Sequence, residues 1–179
     1  SLAWYLGCQA FFLPLRHILV LLAKGKGMDH PADYWIEKLG LYDHPEGGYF
    51  KETYRSEEKI PMEDLPPKYH GDRNFSTAIY FLLREREFSA FHRLKGDELW
   101  HYHAGDPLEI FIIKPDGRLA IHYLGPNMEA DEQPQLVIYK NQWFAARVNN
   151  PKGYTLMSCT MTPGFEFDDF ELAKAQDLE

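Results

Sequence analysis

Cysteine is almost missing from this sequence. Cys8 and Cys159 are too few and too far apart to support a disulfide framework, so a reducing, cytoplasmic setting is expected. Basic residues are in deficit: 19 Lys and Arg against 27 Asp and Glu give a net charge of −8. Without an excess of cations there is no electrostatic hold on a phosphate backbone, which argues against a general nucleic-acid partner. No internal repeat and no second domain can be seen. An unbroken membrane span is missing too. Residues 1–27 are apolar, but Pro14, Arg16 and His17 interrupt them, and a charge at mid-span costs about 2.5–3.5 kcal/mol on insertion scales. These residues also lack the basic start and the small-x-small cleavage pattern of a secretory signal. They are expected to form an apolar arm outside the domain proper, packed on that domain or on a partner subunit, with no membrane partner. Residues 28–179 are left as one domain, long enough for a real core.

Aromatic residues are plentiful, at 15% of the chain. That share suits an all-β core or a stacking pocket better than a helical bundle. Asp29 can cap a short helix over 29–40, with Tyr34, Trp35, Ile36 and Leu39 as its apolar face and Gly40 as its stop. His44-Pro45-Glu46-Gly47-Gly48 reads as a turn. From Tyr49 to Arg55 the chain alternates as a strand, with Phe50, Glu52 and Tyr54 on one side and Tyr49, Lys51, Thr53 and Arg55 on the other. The charged, proline-bearing residues 56–74 read as a loop over a sheet edge or a pocket mouth. Further strands are expected over 75–83, 88–94, 98–103, 108–113, 119–124, 136–139, 144–148 and 154–162, and a short covering helix over 165–175. Short strands with closely spaced turns argue for an all-β antiparallel sandwich or barrel of the jelly-roll kind, with a few peripheral helices.

The densest chemistry lies between Ser76 and Gly117. It holds His92, His101 and His103, the acids Asp97, Glu98 and Glu109, and the aromatics Phe91, Trp100 and Tyr102. Ala104-Gly105-Asp106-Pro107 reads as the turn of a hairpin. Strand parity then puts Glu98, Trp100, Tyr102, Glu109 and Phe111 on one face. Such a face would make an aromatic-walled pocket with two carboxylates, to which Trp143 adds a stacking wall. The opposite face would carry His101, His103, Leu108, Ile110 and Ile112, and would serve as the interface of a homodimer. Glu166, Asp168 and Asp169 read as a solvated acidic edge, and Cys159 as a small buried hydrophobe.

The spacing His92-x-Leu94-x3-Glu98-x6-Gly105 resembles the first motif of the cupin superfamily, whose members are jelly-roll barrels. Three longer blocks are similar to an uncharacterised branch of small cupins: HPEGGYFKETYRS (His44–Ser56), FHRLKGDELWHYHAGDPLEI (Phe91–Ile110) and CTMTPGFEFDDFELA (Cys159–Ala173). The resemblance covers about residues 30–175. It implies a small-molecule pocket around His92 and Glu98. Cupins that bind metal have His where Leu94 stands here, and a further His that falls near Phe144. Only His92 and Glu98 of that ligand set are present, so no metal cofactor is expected. The register His101-x-His103 with Glu109 has ligand residue types but the wrong parity. A more distant resemblance, to the metal-independent dTDP-4-dehydrorhamnose 3,5-epimerases, rests on Gly48-Tyr49-Phe50-Lys51-Glu52 and on Ser89-Ala90-Phe91-His92. It implies His92 as a base beside a keto group and adds Tyr49 and Glu52 to the ligand contacts. Ser89 stands where those enzymes have Arg, and no acid Tyr is found around Met157–Thr160. Three functions are therefore expected to compete: a metal-independent isomerase or epimerase on a sugar-like or other polar cyclic compound, a non-catalytic ligand sensor, and a metal-dependent oxygenase or sugar-phosphate isomerase.

Overall fold

A computed structural model describes residues 30–177; the expectation for residues 1–27 lies outside the described residues. Two six-stranded sheets face each other across one core. The first has the order β1 (Tyr42–Asp43), β2 (Tyr49–Arg55), β5 (Thr77–Arg84), β13 (Tyr154–Met161), β7 (Glu98–Gly105) and β11 (Gln135–Ile138). The second has the order β10 (Glu132–Gln133), β9 (Leu119–Leu124), β8 (Leu108–Ile113), β12 (Trp143–Val148), β6 (Phe88–Leu94) and β14 (Phe170–Leu172). A two-stranded ribbon, β3 (Lys59–Ile60) with β4 (Arg73–Asn74), stands apart from both. This is the expected all-β jelly roll, and the strands fall within a residue or two of their sequence positions, because period-two burial is a strong local signal.

One helix, α1 (Ala32–Leu39), covers the outside of the first sheet. It stops at Gly40, whose left-handed backbone closes the last turn. Trp35, Ile36 and Leu39 pack against Leu41, Leu82 and Leu156, and the Trp35 indole N–H donates to the Tyr154 hydroxyl at 2.9 Å. Among the described residues no helix is long and apolar enough to cross a membrane.

The expected hairpin at 104–107 is corrected. β7 pairs with β13 and β11, whereas β8 pairs with β9 and β12. The chain crosses from one sheet to the other at this turn. Gly105 makes the crossing possible: its φ is +93°, and a Cβ there would lie 2.1 Å from the Tyr154 carbonyl oxygen. Parity inferred across the turn therefore fails. Leu108, Ile110 and Ile112 are core residues, and Glu109 faces outward, accepting from Arg147 Nε at 2.6 Å. The expected interface face is split as well. His101 pairs with Ser158 and stands on the outer side of the first sheet, its ring nitrogen 3.4 Å from the Thr160 hydroxyl.

The expected covering helix over 165–175 is also corrected. A single 3₁₀ turn (Phe167–Asp169) leads into β14, which pairs with β6 and finishes the edge of the second sheet. Asp169 does not join a solvated edge. It is 3% exposed and grips Arg73, itself 2% exposed, through two 2.7 Å bonds to Nε and Nη2. Lys95 Nζ adds a second positive charge at 3.7 Å. The ribbon β3–β4 thereby ties down the segment that follows β13. Asp169→Asn is expected to cost about 3–5 kcal/mol in urea unfolding, because it strands a buried guanidinium. Arg73→Leu combined with Asp169→Leu is expected to cost much less. A single variant that loses under about 1 kcal/mol would show that the pair is not an anchor.

Candidate functional site

The inward faces of β2, β5, β6, β7 and β13 surround a cavity of about 100 Å³. One water needs roughly 10–15 Å³ of such space, so there is room for a ligand of several heavy atoms. Two irregularities build its walls. In β2 the pairing with β5 slips between Glu52 and Tyr54. The extra residue, Thr53, lets Arg55 join Phe50 and Glu52 on the inner face, against the alternation expected from sequence. In β6 the pairing with β12 shifts between Phe144 and Ala146. As a result Ser89 and His92, three residues apart, both point inward; they are 0% and 2% exposed.

Both of them meet Glu46. The turn that carries it is pressed against the start of β6. Gly47 has a φ of +110°, and a Cβ there would lie 2.2 Å from the Phe88 carbonyl oxygen. Glycine is what allows this approach. The Ala90 N–H then bonds the Glu46 carbonyl at 3.0 Å. The Glu46 carboxyl accepts from Ser89 Oγ at 2.7 Å, and its other oxygen stands 3.2 Å from His92 Nε2. On the far side of that ring, Nδ1 lies 2.8 Å from the Ala90 carbonyl oxygen. A carbonyl can only accept, so Nδ1 carries the hydrogen and Nε2 presents its lone pair to Glu46. His44 Nδ1 accepts from the Glu46 N–H at 3.3 Å, and its ring packs edge-on against Phe50. Glu98 is the second buried carboxyl. Its Oε2 accepts from the Trp100 indole N–H at 2.7 Å; Oε1 takes no hydrogen bond from a described residue.

Burial dominates the electrostatics. It pushes the Glu46 carboxyl up to about 8, opposed by the Ser89 hydrogen bond and helped by the nearby Glu98. It pushes Glu98 up to about 7 against the Trp100 hydrogen bond. Burial also holds His92 down at about 4, opposed by its bond to the Ala90 carbonyl. His44 sits at about 4, from burial first and the neighbouring His92 second. At neutral pH the imidazoles are therefore neutral, Glu46 holds its proton and Glu98 is partly ionised.

Of the residues expected from sequence, His92, Glu98, Trp100 and Glu52 meet at this cavity. The other four do not. Tyr49 lies on the outer side of the first sheet against the Leu41–Leu82–Leu156 cluster, and its hydroxyl accepts from Arg84. Tyr102 packs beside the core and donates to the Gly105 carbonyl at 2.5 Å. Glu109 faces outward, as described. Trp143 stands outside the second sheet with the Arg93 guanidinium 4.4 Å from its ring centroid. Phe144, the next residue, is the one that turns inward, its ring 4.0 Å from His92. Sequence reasoning missed Glu46, His44, Arg55, Phe165 and Phe170, all of which line the cavity. A charged residue between Pro45 and two glycines was the available signal for Glu46.

A metal does not fit the expected motif positions. Leu94 and Phe144 offer no donor atom. Among the described residues no group of three or more His, Cys, Asp or Glu is disposed to hold an ion.

Comparison with known proteins agrees with the fold. The family described as cupin superfamily (DUF985) matches residues 33–173. Protein SO0799 from Shewanella oneidensis is 40% identical, with a TM-score of 0.74 over 83% of this chain and 88% of its own. The uncharacterized protein YML079W of Saccharomyces cerevisiae is 29% identical over 152 residues, covering 79% of this chain and 75% of its own. A variant of oxalate decarboxylase from Bacillus subtilis shares the fold alone. It is 15% identical, with a TM-score of 0.51 over 73% of this chain and 29% of that larger one.

The buried carboxyls make stability depend on pH. From about 6.5 upward the folded chain still holds protons that the unfolded chain has released, on Glu98 until about 7 and on Glu46 until about 8. Stability must fall as pH rises through that window. Below about 6.5 the neutral His44 and His92 work in the opposite direction to the carboxyls, so the upper window is the clean one. The urea midpoint is expected to drop from pH 6.5 to 8.5, and Glu46→Gln with Glu98→Gln is expected to flatten that drop. A native midpoint constant over this range would mean that the two carboxyls are not held protonated.

Proposed function

We propose that this chain, which belongs to the DUF985 family of the cupin superfamily, binds a small organic molecule in its barrel cavity and moves a proton on it, at a carbon beside a carbonyl, without a metal. The observation that carries this reading is the pair of buried carboxyls lining one cavity, both raised by burial, of which Glu46 is held by Ser89 and His92 while Glu98 Oε1 takes no hydrogen bond from a described residue. That asymmetry of partners makes Glu98 the base and Glu46 the acid. Glu98 Oε1 takes the proton from carbon. The carbon's electron pair moves into the carbon–carbon bond, and the carbonyl oxygen takes the proton of Glu46. Reversal on the neighbouring carbon yields the isomer. His92 is a positioning residue in this scheme: its Nε2, fixed by the Ala90 carbonyl, accepts the Glu46 proton's hydrogen bond in the resting site, and that bond breaks as the substrate's carbonyl oxygen takes the proton. Glu52 and His92, two residues of the epimerase resemblance, line the cavity and support the same reaction class, whereas Tyr49 takes no part.

Non-catalytic binding in the same cavity is the second reading. It is favoured by the ring contacts of His92, which is packed between Phe144 and Phe170 with centroids at 4.0 and 5.1 Å. The test is deuterium uptake from heavy water into hydroxyacetone and a set of larger hydroxyketones, followed by NMR. The rate is expected to trace a bell with limbs at about 7 and about 8, rising as Glu98 ionises and falling as Glu46 loses its proton. Glu98→Gln and Glu46→Gln are each expected to slow exchange by about 10²–10⁴-fold. His92→Gln is expected to move the basic limb, a shift that a purely structural role would not produce. No uptake above buffer between pH 6 and 9 would remove the catalytic reading and leave the binding one.

A further inference from the structure

The cavity wall is rich in two kinds of group. Phe50, Phe81 and Trp100 come from the first sheet, and Phe165, Phe167 and Phe170 from the segment after β13. Trp100 stands edge-on to both Phe81 and Phe144, with centroids 5.9 and 6.0 Å apart. Among these rings are four carboxyls. Glu46 and Glu98 are deep, each 9% exposed; Glu52 and Glu166 are at the mouth.

Arg55 is the only Lys or Arg side chain among the lining residues, and its donors are all engaged. Nε and Nη2 bond both oxygens of Glu52, at 3.0 and 2.8 Å. Nη1 bonds Glu166 at 2.7 Å and Asn74 at 2.9 Å, and Nη2 also reaches the Phe165 carbonyl. A phosphate or carboxylate entering the mouth would meet two carboxylates and no free donor. His44 and His92 offer no positive charge at neutral pH, and Cys159 keeps its proton. By contrast, Glu98 is 9% exposed and set among aromatic rings, and its Oε1 takes no hydrogen bond from a described residue.

We infer that the ligand of this cavity is a small organic cation, an amine or quaternary ammonium group of few carbons, held by the aromatic rings and by Glu98. The inference rests on the reading of the cavity as a ligand site and names the class of molecule that enters it. Ring faces attract such a cation through their quadrupole, and they do so most strongly where water is excluded. The carboxyls supply the opposite charge. Taken with the proton transfer, the substrate class is an amine-bearing carbonyl compound rather than a sugar nucleotide, whose diphosphate the mouth would repel.

The cation must displace protons. The groups around it that can titrate or carry charge are His44 and Glu46 before β2, Glu52 and Arg55 on β2, His92 on β6, Glu98 on β7, Cys159 on β13, and Glu166 beyond it. Of these, Glu98 and Glu46 change charge between pH 6 and 8.5. Binding should therefore strengthen as pH rises and release about one proton.

The test is titration calorimetry of the whole chain with choline and with its neutral isostere, 3,3-dimethyl-1-butanol, in two buffers of different ionisation enthalpy. Choline is expected to bind at least tenfold more tightly than the isostere at pH 8.5, to weaken toward pH 6, and to release a proton. Glu98→Gln is expected to weaken choline binding at pH 8.5 and to reduce the pH dependence to the part that Glu46 contributes. The isostere comparison needs no variant and stands if that substitution unfolds the chain. Equal or tighter binding of 3,3-dimethyl-1-butanol overturns the cation inference and leaves the cavity as a ligand site. So does an absence of choline binding alongside deuterium uptake into hydroxyketones. If neither alcohol nor cation binds and no exchange occurs, both readings fall.

Discussion

A carboxyl group inside a β-barrel must find polar partners or keep its proton. Glu46 does both. Ser89 donates to it, His92 presents a lone pair to it, and burial holds its proton into the slightly alkaline range. None of this survives in a regular pleat. Ser89 and His92 would lie on opposite faces of β6 if that strand had no irregularity, and Glu46 could not reach either one if Gly47 carried a side chain. The site is thus the product of two departures from ideal geometry that bring three polar side chains to one point in an apolar core. β-bulges are known to re-aim side chains beside functional sites, and the irregular strands β2 and β6 each contribute residues to the cavity.

The same departures decide what could be read from sequence. Strand positions were legible because apolar residues recur every second position, as in Leu108, Ile110 and Ile112. The cavity residues His92, Glu98 and Trp100 were legible because a motif spacing marked them and because parity within one strand is reliable. Parity carried across Gly105-Asp106-Pro107 was not reliable. A tight turn between paired strands and a crossing between facing sheets can use the same residues, and only long-range pairing distinguishes them. Arg55 was assigned to the wrong side because an extra residue in β2 leaves no local mark. Asp169 read as solvated because its partner, Arg73, lies 96 positions away. Charge neutralisation at that range has no periodicity to find.

The two arginines show how stability and the site are linked. Arg73 is buried and held in a fork by Asp169, which fixes the 3₁₀ turn between Phe165 and Phe170. Arg55 is a third exposed and bridges Glu52 of the barrel to Glu166 of the same segment. One clamp is inside and one at the rim, and between them they press three phenylalanines over the cavity mouth. This half of the aromatic wall comes from the segment after β13, which ion pairs hold against the sheets that supply Phe50, Phe81 and Trp100. Surface pairs alone contribute little to such an anchor, so the buried pair must carry most of the fixation.

What neutralises the cavity then follows from its donors. A cupin barrel that holds an ion surrounds its acid with imidazoles, and the ion supplies positive charge. Here Leu94 and Phe144 occupy positions where such imidazoles would stand, while Glu46 and Glu98 remain as acids. Burial raises both carboxyls well above their ordinary range, so that protons balance part of their charge near neutral pH. A proton is a weaker hold than a coordinated ion, and it exchanges with solvent. Any molecule that brings positive charge to Glu98 Oε1 competes directly with it, and any carbon acid placed between the two carboxyls finds one proton donor and one acceptor already set apart. Binding selectivity and proton transfer are, on this view, two uses of one uncompensated pair of buried acids.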